Sequence, residues 1–119
     1  MKPTLVIGAS DKPDRYAYKA IMSLRNHEHE VIALGKQAGK VADIDFQTEW
    51  NSNWEVDTVT LYLNPTNQEP YLNKIIDLKP NRVIFNPGTE NPSFIKQLQQ
   101  HGIMPEIACT LVMLSIGNY

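Results

Sequence analysis

Apolar residues come in short blocks along this chain, separated by polar turns rich in small residues. Thr4–Gly8 is a continuous apolar run, the pattern of a strand covered on both faces. A helix follows from about Asp14 to Arg25, with Ala17, Ile21 and Leu24 recurring at helical spacing and facing the sheet. The second strand is Glu30–Leu34, ending at Gly35. Between Lys36 and Val56 no amphipathic helix is visible, and Ile44–Thr48 reads as a short extra strand or an extended loop. The third strand is Thr58–Leu63, rich in β-branched and aromatic residues. A helix from about Gln68 to Leu78 follows, capped by Asn67 so that Pro70 falls in the first turn. Arg82–Asn86 is the fourth strand. After the turn Pro87–Glu90, Asn91-Pro92 starts a helix that runs to about His101, with Phe94, Ile95 and Leu98 buried and Gly102 as its stop. Met104–Ala108 is the fifth strand. The apolar tail Thr110–Ile116 reads as a helical turn packed on the sheet, or as a final strand.

Strand and helix alternate throughout, and no internal repeat is visible. Right-handed crossovers then predict an α/β open parallel sheet of about five strands with helices on both faces, a three-layer arrangement. Such sheets bind ligands beyond the carboxyl ends of their strands, where the strand order reverses. The ends that matter here are Gly8-Ala9-Ser10, Gly35-Lys36, Asn64-Pro65 and Asn86-Pro87-Gly88.

Length and composition narrow the function classes. A chain of 119 residues fits one domain spanning 1–119, and it can bury roughly two-thirds of its unfolded surface. The formal net charge is −2 and the pI about 5.9, without the basic stripe of a nucleic-acid binder. One cysteine, Cys109, excludes an intrachain disulfide and fits a reducing compartment. The apolar run at the start is too short for a signal peptide, and no stretch is long enough for a membrane span. A cytoplasmic protein is expected, with neither membrane nor nucleic acid as partner.

The first turn carries the candidate chemistry. In Gly8-Ala9-Ser10-Asp11-Lys12-Pro13 the absence of bulk lets a phosphate approach main-chain N–H groups at the positive end of a helix. Ser10 can donate its hydroxyl, Lys12 adds charge, and Arg15 can bind an anion bidentately. The bland alternative is that Ser10 only caps the helix and both bases are solvated. Only the first glycine of a dinucleotide fingerprint is present. The second strand ends at Lys36 with no carboxylate for a ribose 2′-hydroxyl, which favours a phosphorylated ribose or a different nucleotide.

V-I-G-A-S-D-K-P-D-R-Y-A-Y at 6–18, V-I-A-L-G-K at 31–36 and V-I-F-N-P-G-T-E-N at 83–91 resemble the small stand-alone CoA-binding proteins of Rossmann-like fold. The same domain type opens the α subunit of succinyl-CoA synthetase. The resemblance runs through A-C-T-L-V-M-L at 108–114 and implies coenzyme A or an acyl-CoA in the cleft. By it, Gly8, Ala9 and Ser10 lie under the pyrophosphate, and Lys12, Arg15 and Tyr16 flank the phosphates and the pantetheine arm. Gly35 and Lys36 lie near the adenosine and its 3′-phosphate, Asn64 and Pro65 line the adenine side, and Asn86, Pro87 and Gly88 form the opposite lip. The exit of strand two departs from the Asn-Pro ending of many relatives.

Catalytic residues are hard to find, and a non-catalytic binding module is expected. His27, His29 and His101 fall away from the cleft, so no metal site is expected. Cys109 has no activating base in sequence reach and reads as a structural thiol. Glu90 is the best-placed carboxylate, and it reads as a stabiliser of the following helix. Trp50 and Trp54 read as loop anchors, with adenine stacking as the alternative. Two rival readings stay open: a nicotinamide-dependent oxidoreductase or epimerase fragment, and an interaction protein with a vestigial cleft. In the latter, Leu111–Ile116 buries itself in a partner or a homodimer.

Overall fold

The alternation in the sequence becomes one parallel sheet. The computed structural model describes residues 1–119. In chain order the elements are β1 (Thr4–Ile7), α1 (Tyr16–Asn26), β2 (Val31–Leu34), β3 (Lys40–Val41), β4 (Ile44–Asp45), β5 (Thr58–Leu61) and α2 (Pro65–Gln68). A 3₁₀ turn (Glu69–Tyr71), α3 (Leu72–Leu78), β6 (Arg82–Phe85), α4 (Pro92–Gln100), β7 (Met104–Ile107) and α5 (Thr110–Ser115) complete the chain. The main sheet has the order β2-β1-β5-β6-β7, and every pair in it is parallel.

Alternating side chains on these strands feed two apolar layers. Leu5, Ile7, Val59, Leu61, Val83 and Phe85 point to the face covered by α3 and α4, through Ile75, Phe94 and Leu98. Val6 and Ala33 face the other way, toward Ile21 and Leu24 of α1 and Leu114 of α5. The result is the expected three-layer Rossmann-like fold. The tail is a helix, with Thr110, Met113 and Leu114 buried in the fold and Val112 and Ile116 exposed.

The segment 36–56 resolves into an antiparallel pair, β3 and β4, followed by one further bridge. Gln47 pairs in parallel with Leu34 on the outer side of β2. Its N–H donates to the Ala33 carbonyl at 2.8 Å, and its carbonyl accepts from Gly35 at 2.9 Å. This one-residue strand completes the order of the dinucleotide-binding sheet, in which the third strand lies outside the second.

Two helix starts differ from expectation. α1 begins at Tyr16 rather than Asp14. Pro13 disfavours helical backbone at Lys12, and the Arg15 N–H closes a turn onto the Lys12 carbonyl at 3.0 Å. The second correction is the cap after β5. Asn64, not Asn67, caps α2: its side chain accepts from the Asn67 N–H at 2.9 Å, with Pro65 at the first helical position. This is the same Asn-Pro signal that starts α4, where Asn91 accepts from Phe94. Pro70 then lies in the 3₁₀ turn between α2 and α3.

Candidate functional site

The chain leaves β1 for one side of the sheet and later returns to its other side, so the strand order reverses between β1 and β5. Gly8 occupies that point. Its φ of +94°, together with a Cβ position only 2.9 Å from the Tyr62 carbonyl oxygen, excludes any side chain. The glycine is therefore demanded by the approach of β1 to β5 as well as by the turn.

The N–H groups of Gly8 and Ala9 both donate to the Leu34 carbonyl, at 3.1 and 3.0 Å. They brace the turn against β2 and are not free for an anion. The Ser10 and Asp11 N–H groups donate to nothing in the chain. Ser10 does not cap α1; its Oγ accepts from the Lys12 N–H at 3.2 Å. The first turn of α1 has no side-chain cap and no acidic residue. The main-chain donors available to an anion thus begin at Ser10, two residues later than the glycine suggests.

Three cavities share walls along the carboxyl edge of the sheet. The central cleft, about 540 Å³, is lined by Gly8, Ser10, Lys12, Arg15, Tyr16, Asn64, Pro87 and Gly88 of the expected set. A side cavity of about 290 Å³ brings Lys36 together with Gly8, Ala9, Ser10 and Lys12. At the far end a chamber of about 190 Å³ is lined by Tyr16, Tyr62, Asn86, Pro87, Cys109 and Leu111. The cleft and side cavity share Gly8, Ser10, Lys12 and Leu63; the cleft and chamber share Tyr16, Tyr62 and Pro87.

Two expected residues line no cavity. Pro65 opens α2. Gly35 supports the side cavity from behind: a Cβ there would sit 3.2 Å from the Ala9 carbonyl oxygen and 3.3 Å from the Phe46 ring. Asn86 reaches only the chamber, and its amide is fully employed. Its Nδ2 donates to Thr60 Oγ1 at 2.6 Å and to the Leu61 carbonyl at 2.9 Å, while its Oδ1 accepts from the Thr110 N–H at 2.9 Å. Through its side chain Asn86 joins β5, β6 and α5, so that amide serves the fold rather than a ligand.

Further residues that carry no motif in the sequence also line the trough. Tyr62 and Leu63 lie just past the end of the β5 ladder and form the floor shared by the cavities. They look like strand residues in the sequence, but no partner strand extends that far. Asp11 and Asp14 also line the trough and offset part of the charge of Lys12, Arg15 and Lys36. Gln68, only 1% exposed, ties the two lips together. Its Nε2 donates to the carbonyls of Leu63 and Thr89, at 2.9 and 2.8 Å, and its Oε1 accepts from Asn91.

The remaining chemical candidates are accounted for elsewhere. Glu90 accepts from the Gly88 N–H at 2.8 Å, which fixes the lip rather than the helix after it. His27 and His101 lie against carbonyls of their own helices, and His29 lies against Tyr119. Trp50 packs on Trp54 and Tyr71, with ring centroids 5.2 and 6.0 Å away, and lines none of the three cavities. No group of three His, Cys, Asp or Glu side chains is placed to hold a metal ion. Burial raises the Tyr62 phenol well above its ordinary pKa, so the hydroxyl stays protonated. Thr60 and Thr110 are its neighbours, but they bond each other at 2.8 Å, and the Tyr62 hydroxyl is left without a partner.

No helix is long and apolar enough to cross a membrane. No curated protein sequence matches the chain significantly. Among solved structures, an uncharacterised protein shares 50% identity with a TM-score of 0.96, covering 100% of this chain and 98% of the other. A Thermus thermophilus structure, 20% identical, covers 99% of this chain and 90% of its own with a TM-score of 0.85. A hypothetical protein from Pyrococcus horikoshii OT3, also 20% identical, covers 95% and 81% with a TM-score of 0.84. The last two likenesses concern the fold alone. The model of the CoA binding domain matches residues 2–115, and with the braced turn, the free donors beyond it and the bases around the trough, the chain belongs to that family.

Proposed function

We propose that the chain binds coenzyme A or an acyl-CoA along this trough and has no catalysis of its own. The observation that carries the reading is a juxtaposition: unengaged N–H groups at Ser10 and Asp11, and Lys12, Arg15 and Lys36 lining adjoining cavities. The ligand is polyanionic, and one helix terminus contributes only about 0.3–1 kcal/mol per anion. The bases supply the rest through charge-assisted bonds.

The pyrophosphate rests against Ser10 and the start of α1, flanked by Lys12 and Arg15. The adenosine and its 3′-phosphate turn toward Lys36 in the side cavity, which Gly35 keeps open. Asn64 lies on the opposite wall of the cleft, and the pantetheine arm runs past Tyr16 to Pro87 and Gly88. Pro65 and Asn86 act through the walls they support. When bound, coenzyme A supplies a thiol that carries acyl groups as thioesters. Cys109 has no histidine beside it to activate it, and the Glu90 carboxylate is engaged by Gly88.

Isothermal titration calorimetry tests the reading. Coenzyme A binds the native chain, and Arg15→Ala weakens binding about tenfold, the loss of one charge-assisted contact. Equal binding by the variant would remove the assigned cleft. A fluorescence titration with NADH separates the nicotinamide alternative, which the missing carboxylate near Lys36 disfavours.

A further inference from the structure

We propose that the chamber at the exits of β6 and β7 is an acyl pocket, so that the preferred ligands are short-chain acyl-CoA thioesters rather than free coenzyme A. The inference rests on the coenzyme A reading above and adds the direction of the ligand and the class of its acyl group.

Polarity falls along the trough. The side cavity holds Lys36, Lys12 and Asp11. The central cleft holds Arg15, Lys12 and Asp14. The chamber holds no charged residue. Two of its polar side-chain groups are also withdrawn: the Asn86 amide makes three internal bonds, and the Tyr62 hydroxyl is sealed from solvent, while the exposed Tyr16 stands on the side shared with the cleft. What the chamber offers is the ring surfaces of Tyr16 and Tyr62, Pro87, Leu111 and the sulfur of Cys109. Coenzyme A has the same gradient, from phosphates at one end to an uncharged arm and thioester at the other. The reverse orientation puts a 3′-phosphate into a chamber without a positive charge, which desolvation forbids.

Adjacency and size select the occupant. Tyr16, Tyr62 and Pro87 line both cleft and chamber, so the two adjoin at these residues, and the arm of a ligand that runs past the exposed Tyr16 ring meets the chamber. A volume of about 190 Å³ holds about six water-sized groups at ~30 Å³ each. That suits an acyl chain of a few carbons and not a fatty acyl chain. Each methylene moved from water into such a chamber tightens binding up to about fourfold.

Calorimetry with coenzyme A and its acetyl, butyryl, hexanoyl and palmitoyl thioesters tests the pocket. Affinity is expected to climb from coenzyme A through butyryl-CoA, about twofold to fourfold per carbon, and to stop climbing by about hexanoyl-CoA. Leu111→Trp fills the chamber and brings the ratio of butyryl-CoA to coenzyme A affinity to about one, with circular dichroism confirming its fold. A second measurement needs no variant. Cys109 is the sole cysteine, so its alkylation by iodoacetamide reads the chamber wall directly. Butyryl-CoA slows it several-fold more than desulfo-CoA, which lacks a thiol to consume the reagent. If coenzyme A binds while its thioesters bind equally and leave Cys109 unprotected, the acyl pocket is overturned and the coenzyme A reading stands. If coenzyme A itself does not bind, both fall.

Discussion

The two ends of the parallel sheet treat their polar residues in opposite ways. At the amino end, side chains bond to one another. Arg82, 7% exposed, donates to Thr58 at 2.8 Å, contacts Glu106 at 3.4 Å and lies over the Tyr119 ring at 4.4 Å. Thr4 and Tyr119 share a hydroxyl bond of 2.6 Å. Burial opposes the charge of Asp57, but hydrogen bonds from Thr58 and Asn81 and the charge of Arg82 outweigh it and hold the carboxyl below its ordinary range. At the carboxyl end, Lys12, Arg15 and Lys36 make no ion pair and no side-chain hydrogen bond with the protein. Charge that is satisfied internally holds the fold, and charge left to solvent is available to a ligand. The amides of Asn86 and Gln68 are the exception at the carboxyl end, and they hold the loops that carry the open site.

The sharpest way to break this contrast is Arg82→Ala. It removes the buried bond to Thr58, the partner of the half-buried Glu106 and the cation over the Tyr119 ring, and costs about 2 kcal/mol, read from urea denaturation, with coenzyme A affinity unchanged in the folded fraction. Asn86→Leu comes next. It leaves the Thr110 N–H and the Leu61 carbonyl unpaired and costs about 2 kcal/mol by the same measurement. If it left stability intact and abolished binding, Asn86 would belong to the ligand rather than to the fold.

A smaller effect follows from His29. Burial, then nearby positive charges that include Lys2 and Arg82, lower its pKa. Its Nδ1 accepts from the Lys2 N–H at 3.0 Å, which requires that nitrogen to be unprotonated. The unfolded chain therefore binds the proton more readily than the folded one. This contribution to stability is complete above about pH 6.5, the unfolded value, and is lost as pH falls below it. The urea midpoint at pH 5.5 should lie below that at pH 7.5, and His29→Asn should reduce the difference. The smallest expected change is in Tyr62→Phe. Deleting a hydroxyl that has no partner leaves stability unchanged or raises it by up to about 1 kcal/mol. A loss would reveal a partner for that group.

Much of the architecture was legible because its signals are local. Apolar runs such as Leu5–Ile7 and Val83–Phe85 and helical spacing such as Ala17, Ile21 and Leu24 need no knowledge of distant contacts. The Asn-Pro start is plain at Asn91, whereas at Asn64 the later Pro70 offers a competing start that the structure uses for a 3₁₀ turn instead. The gathering of Lys12, Arg15 and Lys36 was also legible, since all three follow strand ends on one side of a parallel sheet. Two things were hidden. That the Gly8 and Ala9 N–H groups are consumed by Leu34 depends on the register of β1 against β2. That Asn86 serves Thr60 and Thr110 depends on where the final helix folds back. Both are long-range geometry, which a residue's type does not disclose.

The single bridge of Gln47 to β2 has a counterpart at the opposite margin of the sheet. There Pro105 stands in the middle of β7, where its ring nitrogen has no hydrogen to give. One margin is thus covered along part of its length and the other lacks a donor in its outward ladder. A second chain seeking to extend either side meets an interrupted template, a safeguard against amyloid-like stacking in a protein whose β7 exposes Met104 and Ile107.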